Sequence, residues 1–135
     1  MSTTLFKKTA EKLLSGAIDL SAATIRVAAV GPGYAPNFST HEFLTDLGAN
    51  VLGAPPALAN VSVANGALDA DDLIYPAIAA GSTVSAFVLY VDTGVAGTSP
   101  LLGYLDDGVG VPLLTNGSGI AITWNNTASK IFAIA

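Results

Sequence analysis

Apolar residues in the first seventeen positions recur at steps of three and four. Phe6, Ala10, Leu13, Leu14 and Ala17 form one stripe, the spacing of an amphipathic helix. Lys7, Lys8, Glu11 and Lys12 fall on the other side, and Gly16 stands where a C-terminal stop belongs. A helix this short is marginal in isolation, so its stripe needs a surface. Either the chain's own sheet or, for an N-terminal arm, a neighbouring subunit would serve.

The period then changes from helical to two. Ile25, Val27 and Ala29 share one face of the run 24–30, which predicts a strand closed by Gly31-Pro32-Gly33. At Phe38–Phe43, Ser39 and Glu42 have capping-box spacing, and Phe38 and Phe43 take the two positions of a hydrophobic staple. This predicts a short helix over about residues 40–47, ended by Gly48. From Val51 onward the texture is β. Strands are expected at 60–64, 67–69, 73–75, 83–92, 101–105, 119–124 and 129–134. Asn65-Gly66, Gly94–Gly97, Asp107-Gly108, Asn116-Gly117 and Asn125-Asn126 supply turns between them. The run 83–92 is apolar on both faces, as a central strand buried on both sides would be.

Many short strands at regular spacing predict a mainly β chain, an antiparallel sandwich or barrel-like domain with a short N-terminal helix and one short capped helix. Residues 1–135 read as a single domain, with a helix or arm at 1–17 and a β-rich body at 18–135. No repeat or linker divides them.

Composition sharpens this picture through charge. Only 11% of the 135 residues are charged, against about 25% in an average soluble domain. The hydrophobic share is 51% and the mean hydropathy is +0.58. The greasiest runs, 73–80 and 86–91, are too short to cross a bilayer, which takes about 18 or more apolar residues. Lysines at 7, 8 and 12 around Glu11 interrupt the apolar run a signal peptide would need, so neither a membrane nor that export route is expected. A surface poor in charge is then expected to be covered by neighbouring subunits, the alternative being an Ala/Gly/Thr-rich β protein with a neutral surface and no partner. The net charge is −5, and only Arg26 and Lys130 supply positive charge beyond residue 12. Without a basic stripe, direct nucleic-acid binding is not expected.

The candidate chemistry is thin. There is no Cys, hence no disulfide, thiolate site or thiol nucleophile. The single histidine, His41, falls in the capped helix without a G-x-S-x-G elbow elsewhere. Asp69, Asp71 and Asp72 form one acidic cluster and Asp106-Asp107 another. The first departs from the EF-hand pattern, because Leu73 follows at the next alternate position and no Glu closes the loop. Paired carboxylates also serve glycoside hydrolysis, but a chain with one Trp and four Tyr has few platforms for a sugar. No phosphate-binding glycine loop occurs. The chain reads as a non-enzyme with no cofactor and no metal.

One ordered set of segments carries more. A basic helix precedes Leu14-Ser15-Gly16-Ala17-Ile18-Asp19-Leu20, then come 24–28 and the stretch from Tyr34 and Phe38 to Leu44. Leu68–Asp72, Phe87–Tyr90 with Asp92-Thr93-Gly94, Ser99–Asp106 and a closing pair around Ile122-Thr123-Trp124 complete it. Over nearly the whole chain this resembles a family of small structural proteins of tailed bacteriophages and prophages. The resemblance implies a virion subunit, foremost a capsid decoration (cement) protein on the capsid surface, made in the host bacterial cytoplasm. Its implied partners are the major capsid protein and copies of itself as a homo-oligomer. A tail or connector component is the alternative within the virion. A carbohydrate-binding module, suggested by the β texture and polar loops, is the alternative outside it. The resemblance brings no functional residues with it. Contact residues are expected on the first stripe and in the 31–37 loop: Phe6, Leu13, Tyr34, Pro36 and Asn37.

Overall fold

The computed structural model describes residues 3–106, 110–124 and 131–133. The turns placed at Asp107-Gly108 and Asn125-Asn126, and Lys130, lie outside the described residues.

The chain is mainly β and antiparallel throughout. Its centre is a five-stranded sheet built from β1 (Thr3–Leu5), β2 (Ile25–Val30), β3 (Val51–Leu52), β8 (Ala86–Val91) and β9 (Leu101–Leu105), in the order β1-β9-β8-β2-β3. Three smaller sheets surround it. One comprises β4 (Ser62–Ala64), β5 (Ala67–Asp69) and β12 (Phe132–Ala133), ordered β12-β5-β4. The others pair β6 (Leu73–Tyr75) with β11 (Ile120–Ile122), and β7 (Thr83–Val84) with β10 (Leu113–Leu114). No barrel closes among the described residues.

The period-two pattern explains why the central sheet is covered on both faces. Ile25, Val27 and Ala29 of β2, with Phe87 and Leu89 of β8, point toward one core, where Leu68, Tyr75, Ile120, Ile122 and Trp124 of the smaller sheets meet them. Ala28 and Val30, with Ala86, Val88 and Tyr90, point the other way and pack on Phe6, Tyr34 and Leu47. Every residue of β8 except Val91 is buried. At β9 one extra residue is accommodated. Leu89 pairs with Gly103 and Tyr90 with Leu101, so Leu102 bulges. That bulge shifts the alternation by one, so Leu102 shares a core with Leu105 while Leu101 shares the other with Tyr104.

The N-terminal helix is shorter than its stripe, and rotated. Thr3–Leu5 is strand β1, paired with β9, and α1 spans only Lys7–Leu14. The Phe6 amide donates to the Leu102 carbonyl at 3.3 Å, so the chain enters the helix already tied to the sheet. This sets the rotation. Thr9 becomes the buried helix position, its hydroxyl donating to the Leu101 carbonyl, while Leu14 is 86% exposed. The helix ends as expected at Gly16 (φ 79°). The Ala17 amide donates to Lys12 O and the Gly16 amide to Leu13 O, a Schellman closure.

The predicted helix at 40–47 also gives way to tertiary pairing. Residues 42–44 run extended beside 99–101: Leu101 N donates to Glu42 O at 2.9 Å, and Leu44 N to Ser99 O at 2.8 Å. Only after that does a 3-10 segment form, Leu44–Asn50, kinked at Gly48. Its cap is Asp46, whose carboxylate accepts the Glu42 and Phe43 amides at 2.7 and 3.0 Å. Ser39 and Glu42 form no capping box. The Asn37 side chain accepts the Ser39 and Thr40 amides, and Glu42 reaches Lys12 Nζ at 2.7 Å.

Candidate functional site

The residues expected to make contacts divide between two places. The first is the loop 31–43. Here Phe6, Phe38, Tyr34, Tyr104 and His41 form a continuous group of rings. Centroids are 5.2 Å apart for Phe6–Phe38, 5.8 Å for Phe38–Tyr104, 6.3 Å for Tyr34–Tyr104 and 5.4 Å for Tyr34–His41. Phe6 is fully buried and Tyr34 is 6% exposed, so neither is on the surface as expected from the sequence. Their rings belong to the second core. Pro36 is half-buried and Asn37 exposed, and Asn37 is occupied with folding its own turn.

His41 belongs to that turn rather than to a capped helix. Its Nδ1 accepts the Asn37 amide at 3.2 Å and lies 2.8 Å from the Tyr34 hydroxyl. A ring nitrogen that accepts an amide carries no proton, so the Tyr34 hydroxyl donates to it as well. Burial, with a smaller contribution from the Asp46 carboxylate, raises Tyr34 well above the usual tyrosine value. A hydroxyl held protonated in this way anchors the loop and is a poor nucleophile.

The acidic cluster is likewise absorbed into structure. Asp72 Oδ1 accepts the Trp124 amide at 2.8 Å, and the Trp124 indole N–H donates to Asp71 O at 3.0 Å. Asp71 Oδ2 accepts the Asn60 side-chain amide at 2.5 Å. These contacts stitch the β5–β6 turn to the end of β11. Among the described residues no group of three or more His, Asp or Glu could hold a metal. Asp106 is exposed, and its partner in the sequence, Asp107, lies outside the described residues.

The second place is an open groove between the exit of α1 and the β4–β5 hairpin. Leu13, Ile18 and Leu20 line one side and Val63, Ala67 and Leu68 the other. Leu13 is half-buried there, in reach of a partner. Pattern reading missed Val63 because alternation places it within an ordinary strand. The missing signal was that β4 lies at the edge of its sheet, exposed on both faces.

Beyond these places, large aliphatic side chains stand out on several elements. Leu14 is 86% exposed, Ile74 70%, Leu114 67%, Val95 61% and Val63 53%. Among the described residues the basic side chains are confined to α1 and Arg26, whose Nε meets Asp92 Oδ2 at 2.6 Å. No aromatic side chain from Phe6 to Trp124 is exposed. No helix among them is long and apolar enough to cross a membrane. The fold and surface define a mainly β antiparallel protein with apolar side chains presented on several sides. The chain matches no known protein-family model and no curated protein.

Proposed function

We propose that this protein is a non-enzymatic structural subunit of a tailed-phage virion, a capsid decoration protein that binds the major capsid shell. One observation carries the reading: among the described residues five large aliphatic side chains are exposed, on α1, β4, β6, β10 and the turn at 95. Single exposed aliphatics are ordinary on a monomer. Their distribution over several elements suits a subunit that touches more than one neighbour, each contact of standard size burying about 1,200–2,000 Å². His41, Asp71 and Asp72 support it from the other side, since their contacts account for them as architecture. The resemblance to phage structural proteins supplies the particular assembly. A tail or connector position is the alternative within the virion.

The test is co-sedimentation of the purified protein with phage capsids. Saturable binding that raises the temperature of capsid disruption is the expected result. A protein that stays in the supernatant with both capsids and tails overturns the proposal.

A further inference from the structure

The edge of the small sheet has a hydrogen-bonding arrangement that fits a second copy of itself. Asn65 and Gly66 both have positive φ, 53° and 76°, the backbone of a two-residue type I′ turn. Ala64 and Ala67 are therefore the closing, hydrogen-bonded pair of the hairpin, with registers Val63↔Leu68 and Ser62↔Asp69 following. Bonded and non-bonded pairs alternate along an antiparallel ladder. Leu68 accordingly turns its polar groups away from β4, and its carbonyl accepts the Ile131 amide at 3.0 Å on the β12 side. Val63 must then turn its own N–H and C=O away from β5, toward the open edge.

Nothing in the strand blocks that edge. Natural edge strands are guarded by charge, proline, bulges or a covering element. Ser62-Val63-Ala64 has none of the first three, all three residues are exposed, and β4 is the outer strand of its sheet among the described residues. We infer that β4 pairs antiparallel with β4 of a second copy across a two-fold axis at Val63, joining two three-stranded sheets into one of six.

The second copy is the occupant because the edge is self-complementary. A two-fold axis opposes each Val63 to the other, so each N–H meets the other C=O, the isologous arrangement of a symmetric dimer. Ser62 then faces the partner's Ala64, two small side chains that admit close approach. Charge permits it. The acidic residue of the hairpin, Asp69, lies one strand in on each copy, so the two carboxyl groups are separated by three strand spacings, about 14 Å. That exceeds the Debye length of about 8–10 Å at ordinary ionic strength.

The inference deepens the self-association expected of a virion subunit, and it is read without capsids so that the two fail separately. Hydrogen exchange of the full-length protein is measured across a range of concentrations together with analytical ultracentrifugation. The Val63 amide is expected to become protected as dimer forms, whereas Ser62, already bonded to β5, is protected at every concentration. V63K, at a 53% exposed position, is expected to weaken the dimer by at least about tenfold, whereas S118K, at an exposed position in the turn before β11, leaves it unchanged. A monomer at every concentration, or a dimer in which Val63 exchanges freely, overturns the inference. So does a dimer that V63K leaves intact. A strand from another protein as the true occupant would show as Val63 protection only on adding that protein, which also overturns it.

Discussion

The Tyr75 hydroxyl stands inside the β2–β3 ladder: the Ala29 amide donates to it at 3.1 Å and it donates to the Leu52 carbonyl at 2.6 Å. Ala29 and Leu52 are a register pair, and the Gly31 amide bonds directly to Asn50 O two residues further on. By alternation Ala29 and Leu52 would bond directly too. Instead the strands part there, at Gly53 (φ 66°), and pairing resumes shifted, with Val27 N donating to Pro56 O. Tyr75, fully buried from another sheet, bridges the opening and ties that sheet to the central one.

Tyr75→Phe removes the bridge and keeps the ring. The Ala29 N–H and Leu52 C=O lose their partner in a buried gap, which costs about 1–3 kcal/mol. Denaturant unfolding should show that loss, with faster exchange of the Ala29 amide. Unchanged stability would mean that the strands close and bond directly.

Gly103 admits β1. A Cβ built there meets Thr3 Cγ2 at 2.5 Å and Thr4 O at 3.5 Å. Gly103→Ala should therefore displace the N-terminal strand at a cost of about 1–3 kcal/mol, read as faster proteolysis near residue 3. Thr3→Ser removes the clashing methyl and keeps the hydroxyl that bonds Ile131 O. Adding it should recover most of the loss.

All four tyrosines titrate above their ordinary value of about 10, chiefly because burial disfavours the phenolate. The raised value belongs to the folded state, so this stability is complete below the unfolded value and falls as pH rises past it. Melting temperature should drop above about pH 10. Absorbance at the phenolate band should rise cooperatively with unfolding rather than at the free-tyrosine midpoint.

Asp46 and Asp92 act at the opposite end of the scale. Burial raises Asp46, but the Glu42 and Phe43 amides outweigh it and lower the value overall. Asp92 is lowered by the Gly94 amide and then by Arg26. Their contribution is present above the unfolded value, about 3.9, and is lost as pH falls through the folded ones. Asp46→Asn should cost about 0.5–2 kcal/mol at neutral pH, as loss of a helix cap does. Arg26→Met should cost about 0.2–1 kcal/mol for its half-exposed pair. Both differences should shrink toward pH 2 in acid-titrated melting curves.

The sequence by itself determined the secondary structure wherever the information was local. The run expected over 83–92 divides into β7 at Thr83–Val84 and β8 at Ala86–Val91, while the strands at 25–30 and 101–105, the Asn65-Gly66 hairpin and the Gly16 stop are where the pattern puts them. Each is set by side-chain alternation or by a backbone angle that only neighbouring residues decide. It also identified the two-sided burial of 86–91, because no other arrangement hides apolar residues on both faces of a strand.

Only the tertiary structure decided what depended on partners distant in the chain. The capping box at Ser39 was locally sound, yet two backbone hydrogen bonds to Ser99 and Leu101 hold residues 42–44 extended and outweigh it. The helical stripe was sound too, yet pairing of Thr3–Leu5 with β9 turns the helix so that Thr9 is buried and Leu14 faces outward. The contact residues divided for the same reason. Phe6 and Tyr34 were drawn into a core by the distant strands β8 and β9, and Leu13 was left beside Val63 at an edge that no local pattern marks. Alternation tells a residue which face it takes. It does not tell a strand whether another will lie beside it, because that depends on where the rest of the chain is placed.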